Sequence, residues 1–105
     1  MNGNVLKDLK VAEAAIKLFC EQWKIIEFSL FGSVITADFQ AQSDIDVLVS
    51  FSEEADLSLA DIVTMKEQLS RLFGREVDIV DKDALRNPFR KNHILSHREV
   101  IYAAR

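Results

Sequence analysis

The segment Asp44-Ile45-Asp46-Val47-Leu48-Val49-Ser50-Phe51 constrains this chain more than any other. On a strand, Ile45, Val47, Val49 and Phe51 point to one face, and Asp44, Asp46, Leu48 and Ser50 to the other. The first face must be buried, so the strand belongs to a sheet with a packed side. Two carboxylates then stand together at its start, roughly 6.6 Å apart from Cα to Cα at strand rise. Glu76-Val77-Asp78-Ile79-Val80 repeats the pattern, with Val77 and Ile79 opposite Glu76, Asp78 and Val80.

The remaining elements follow from periodicity and punctuation. Val5, Leu9, Ala12, Ile16, Phe19 and Trp23 recur at helical spacing and predict a helix over 5–22. A strand is expected over 25–31, with Ile26, Phe28 and Leu30 facing one way and Ile25, Glu27, Ser29 and Phe31 the other. Gly32 ends it, and 33–43 reads as a helical turn and a polar loop. A helix over 58–73 opens on Ser58, with Asp61 as its capping-box acid. Leu57 and Ile62 sit at staple positions, and Gly74 follows as the left-handed stop. Its buried face is expected to be Leu59, Ile62, Val63, Leu69, Leu72 and Phe73. Asn87-Pro88 opens a helix running to about Ser96, and 99–103 reads as a last strand. This order implies an α/β or α+β domain with a mixed sheet of about four strands flanked by helices.

With 105 residues, 49% of them hydrophobic, residues 1–105 suit a single domain with one core. Cys20 is the only cysteine, which excludes an intrachain disulfide and a thiolate metal cage and fits a reducing, cytoplasmic setting. Lys7, Asp8, Lys10 and Glu13 interrupt the first turns, against a signal peptide or membrane span. The net charge of −4 disfavours a nucleic-acid partner. Arg86, Arg90, Lys91 and Arg98 form a local basic cluster, read as a solvated surface.

Crowded carboxylates repel unless a cation lies between them. If the strands bearing Asp46 and Asp78 are neighbours, Asp44, Asp46 and Asp78 can hold two divalent ions, Mg²⁺ or Mn²⁺, as in-line phosphoryl transfer requires. At Gly32-Ser33 the missing Cβ admits a close ligand, and free amides with the Ser33 hydroxyl suit phosphate.

Gly32-Ser33, ten residues, then Asp44-Ile45-Asp46 resembles the signature of the DNA polymerase β-like nucleotidyltransferase superfamily. The strings Ser43-Asp44-Ile45-Asp46-Val47-Leu48-Val49 and Glu76-Val77-Asp78-Ile79-Val80 are similar to those of the minimal nucleotidyltransferases, as are Asn87-Pro88 and the tail Val100-Ile101-Tyr102. The resemblance implies transfer of a nucleoside monophosphate from an NTP, ATP in the best-understood type, to a hydroxyl. Asp44 and Asp46 would ligate both metals. Asp78 would complete the site and help deprotonate the acceptor, and Gly32 and Ser33 would hold the β- and γ-phosphates. It further implies a HEPN-domain toxin as partner, with the chain as its antitoxin adenylylating that toxin. Family members often carry Ala-Arg-Gly after the Gly-Ser pair, where this chain has Ile35-Thr36-Ala37. That departure keeps a second reading open, a catalytically weak module that neutralises a toxin by contact.

Other residues have plainer expectations. Asp81 and Asp83 shape a turn, and Glu76 lies at an edge in water. His93 and His97 have a zinc-compatible spacing without a third ligand and are read as surface or partner contacts. Trp23 and Tyr102 are expected in the core, and Cys20 as a small buried hydrophobe. A homo-oligomer fits the sequence as well as a monomer.

Overall fold

The computed structural model describes Leu6, residues 9–36 and residues 43–104. Its elements are α1 (Glu13–Trp23), β1 (Ile25–Phe31), a helical turn (Gly32–Ile35), β2 (Ile45–Phe51), α2 (Leu59–Phe73), β3 (Val77–Asp81), a second turn (Lys82–Ala84), α3 (Pro88–Ser96) and β4 (Arg98–Ala103). The four strands form one mixed sheet in the order β3-β2-β1-β4. β1 is antiparallel to both β2 and β4, and β2 is parallel to β3. The parallel pair needs a crossover, which α2 supplies. Among the described residues, no helix is long and apolar enough to cross a membrane.

One face of the sheet builds the core. Phe28, Leu30, Ile45, Val47, Val49 and Val77 are buried in one cluster with Ile16 and Phe19 of α1 and Met65, Leu69 and Phe73 of α2. Phe19 meets Phe28 edge to face at 6.3 Å, the arrangement aromatic quadrupoles favour. Trp23 and Tyr102 pack partly buried against this cluster, and the Trp23 indole donates to Gln68 Oε1 at 2.8 Å, tying α1 to α2. Cys20 is fully buried, and burial, with Glu21 nearby, pushes its thiol up to about 12. It therefore stays protonated and inert.

The caps of α2 form as expected. The Ser58 hydroxyl accepts from the Asp61 amide, the Asp61 carboxylate accepts from the Ser58 amide, and Gly74 takes φ 70° past the last turn. Asn87 caps α3 by accepting from the amides of Phe89 and Arg90. The Asp81 carboxylate accepts from the Asp83 amide and shapes the second turn.

Three expectations are corrected. The helix over 5–22 does not run through: Lys10 takes φ 59°, the Val11 amide donates to the Leu6 carbonyl, and α1 begins at Glu13. That six-to-one bond is a helix-stopping closure usually marked by glycine, and a lysine fills the position here. Val5 lies outside the described residues, as do 37–42 of the polar loop. In β1 the faces differ at the start. Ile25 is buried and Ile26 exposed, because a bulge shifts the register between Ile25 and Glu27 and turns one residue over. In α2, Leu59 is 86% and Val63 57% exposed, with Met65 buried instead. Ile62, expected in the buried face, is exposed too, and with Leu59 it lines an open pocket beside Phe51 and Asp81 rather than the packed core, which α2 meets through Met65, Leu69 and Phe73.

Candidate active site

The face of the sheet away from α1 and α2 carries the polar residues. The strand registers place Asp46 of β2 beside both Phe31 of β1 and Asp78 of β3, and Phe31 beside Arg98 of β4. Asp78, Asp46, Phe31 and Arg98 therefore make one row across all four strands. Adjacent strands lie about 4.8 Å apart, so Asp46 and Asp78 are immediate neighbours on one face. Asp44 precedes β2 and is exposed, Asp46 is half-buried and Asp78 is exposed. The hydrophobic pattern of each strand puts its aspartate on this face, and the parallel pairing of β2 with β3 brings the two together.

β1 ends at this row and the chain turns at Gly32, which takes φ 76°. A Cβ built on Gly32 would collide with Asp46 Oδ2 and lie 3.2 Å from Asp46 Cγ. Glycine is thus required twice, by backbone conformation and by the close approach of the Asp46 carboxylate. Ser33 follows, half-buried in the turn.

Electrostatics at Asp46 record the crowding. Burial, then the charges of Asp78 and Asp44, push its carboxyl above the ordinary aspartate range, and Arg90 opposes the rise. These oxygens suit a hard divalent cation, which would relieve the repulsion. Lys66 lies 4.0 Å from Asp78 and 3.4 Å from Glu76, which is therefore paired at its edge. Among the described residues, no three acidic, imidazole or thiol groups already converge as a cage. Asp44 and Asp78 are exposed on either side of the half-buried Asp46 in chain and sheet.

Further along the same face, Glu27 accepts from Arg98 Nη1 and lies 3.5 Å from Lys82 Nζ, with the fully buried Ser29 hydroxyl 3.5 Å from Arg98. Arg98 was expected on a solvated surface, but its side chain is 18% exposed. Burial alone would raise the Glu27 carboxyl, but Arg98 and Lys82 hold it below its usual range. A lowered folded value gives stability that is full above the unfolded value, 4.5, and disappears as pH falls through the folded one. Arg98→Ala should cost about 2 kcal/mol at neutral pH. Chemical denaturation should show the difference from wild type shrinking as pH falls below the unfolded value, 4.5, and through the lower folded one.

Between the Gly32 turn and α3 lies a cavity of about 500 Å³, with Gly32 and Thr36 on one side, Arg90 and His93 on the other, and Phe31 and Ile94 as apolar walls. His93 and His97 stack with ring centroids 4.4 Å apart, and His97 Nδ1 is 2.8 Å from the His93 carbonyl. Arg90 and Lys66 beside the aspartates were not singled out as site residues from the sequence. Both act across long chain separations, and no local pattern marks them.

Residues 12–101 match the nucleotidyltransferase domain family. The protein adenylyltransferase MntA of Thermococcus cleftensis is 34% identical over 82 residues, 78% of each chain. A solved structure described provisionally as a minimal nucleotidyltransferase superposes with a TM-score of 0.72 at 30% identity, covering 89% of this chain and 92% of that one. A complex of a tri-AMPylated HEPN toxin with its MNT antitoxin from Shewanella oneidensis superposes with a TM-score of 0.63 at 19% identity, covering 88% of this chain and 70% of that one.

Proposed function

Because the chain belongs to the nucleotidyltransferase domain family, we propose that it transfers AMP from ATP to a hydroxyl of a partner protein, a HEPN-domain toxin whose antitoxin it is. The observation that carries the reading is the row in which Asp46 stands beside Asp78, with Gly32 stripped of a Cβ against the Asp46 carboxylate. The name of the Thermococcus relative and the AMPylated toxin in the Shewanella complex support the acceptor class.

Asp44, Asp46 and Asp78 would hold two Mg²⁺ ions, with Mn²⁺ as a substitute. When bound, these supply positive charge at the reacting phosphates. The Gly32 backbone admits the β- and γ-phosphates, and the Ser33 hydroxyl donates to them. Asp78 takes the proton of the acceptor hydroxyl. The acceptor oxygen bonds to the α-phosphorus, the bond from that phosphorus to the bridging oxygen breaks, and pyrophosphate leaves. Half-burial of Asp46 strengthens these charge interactions relative to water.

Neutralisation by contact, with little catalysis, is the second reading, and exposed Leu59, Val63 and Phe89 favour it. One experiment separates the two. ATP labelled at the α- or the γ-phosphate is incubated with Mg²⁺, the protein and host extract. The α-label should move to a protein band and the γ-label should not. Asp78→Asn should slow turnover about a hundredfold, the low end for removing a general base, while nucleotide affinity changes far less. Tight capture of a partner with neither label transferred would establish the contact reading.

A further inference from the structure

Gly32–Ile35 and Thr36 offer backbone amides and hydroxyls but no basic side chain. Beside any ion the aspartates hold, the turn itself therefore supplies no side-chain cation to a polyphosphate. Lys66 is paired with Glu76 and Asp78, and Arg98 with Glu27. Arg90 faces the turn across the cavity, and its charge reaches Asp46. Among the described residues its guanidinium makes no hydrogen bond or ion pair. Its backbone is nonetheless pinned. Pro88 opens α3 and the Asn87 side chain accepts from the Arg90 amide at 3.2 Å, so Arg90 sits in a capped first turn.

We propose that Arg90 is the polyphosphate-binding cation of this site, gripping the terminal phosphates of a nucleoside triphosphate from the α3 side of the cavity while the Gly32 turn meets them from the other. The planar guanidinium fork matches phosphate oxygens in pairs. Phe31 and Ile94 line the cavity beside it, and such apolar surroundings strengthen a charged contact relative to open water. This rests on the nucleotidyl-transfer reading and adds to it a residue from α3, outside the Gly-Ser turn and the three aspartates.

Calorimetric titrations with Mg²⁺-tripolyphosphate, ATP and AMP test it on the wild type, Arg90→Ala, Arg90→Lys and, as a control for general charge, the exposed Arg86→Ala. Circular dichroism checks that each variant is folded. Arg90→Ala should weaken tripolyphosphate and ATP roughly ten- to hundredfold, the worth of one charged hydrogen bond, and leave AMP unchanged. Arg90→Lys should recover part of the loss, and Arg86→Ala should behave as wild type. Unchanged tripolyphosphate affinity in Arg90→Ala, or equal losses for ATP and AMP, would overturn the proposal. If tripolyphosphate binding follows Arg90 but AMP reaches no acceptor, the transfer reading falls and this assignment stands. If AMP transfer proceeds in Arg90→Ala with an unchanged KM for ATP, this assignment falls and the transfer reading stands.

Discussion

Gly32→Ala is expected to disable the site and destabilise the fold together, by about 2–4 kcal/mol. Alanine in the left-handed region costs about 1–2 kcal/mol, and forcing a methyl against a fixed neighbour adds about 1–2 more. The neighbour is the Asp46 carboxylate, which must move off the row it shares with Asp78. Transfer should fall at least about a hundredfold, since a displacement of this size at a reacting centre costs that much. Gly74 is the internal control. It has φ 70°, yet a Cβ there meets nothing within 4 Å. Gly74→Ala should therefore cost only the conformational part, about 1–2 kcal/mol, and leave transfer intact. Denaturant unfolding of Gly32→Ala, Asp46→Ala and their double variant separates the two contributions. The double variant should recover the stability lost to the clash but not that lost to the backbone conformation. Strictly additive losses would show that the two groups do not touch.

Asp44→Ala with Asp46→Ala should abolish transfer, by at least about a thousandfold, because it removes the groups expected to place several kcal/mol of cationic stabilisation on the phosphates. Stability should move the opposite way. Asp46 has a raised folded pKa, so its ionised form is disfavoured in the fold at neutral pH. That penalty is present above the folded value and fades as pH falls toward the unfolded one, 3.8. Without metal, the double variant should melt higher than wild type at pH 7. Adding Mn²⁺ should raise the wild-type midpoint through binding linkage and leave the variant unmoved. A variant that melts lower than wild type in chelator would mean that the carboxylates hold the fold together rather than strain it.

The parts of this architecture that are legible in the sequence are those governed by local chemistry. The alternation in 44–51 and 76–80 places Asp46 and Asp78 on one face, and the sheet makes them neighbours. Ser58, Asp61, Gly74, Asn87 and Pro88 mark their helix ends because capping needs those side chains or backbone freedoms. The corrections arise where tertiary contact overrides such signals. Lys10 takes a left-handed conformation that would ordinarily call for glycine, so the break before Glu13 carries no punctuation, whereas the end at Trp23 lies one residue from that expected, although Lys24 fills the left-handed stop. Ile25 and Ile26 exchange faces at a bulge set by strand register, which periodicity does not encode. Leu59 and Val63 have core-like spacing but stay exposed, because the core contact of α2 is made by Met65, Leu69 and Phe73. The cations are illegible for the same reason. Lys66 and Arg90 approach the aspartates only through packing of α2 and α3, and Arg98 meets Glu27 across two strands distant in the chain.

The proposed activity depends above all on Asp44, Asp46 and Asp78 holding the catalytic ions. Crystals grown with Mn²⁺ and a non-hydrolysable ATP analogue test it directly through anomalous scattering. Manganese peaks ligated by these three carboxylates are expected, with the α-phosphate beside them and the terminal phosphates against Gly32 and Ser33. Nucleotide bound in the cavity with manganese absent from the three aspartates, or ligated elsewhere on the surface, would contradict it.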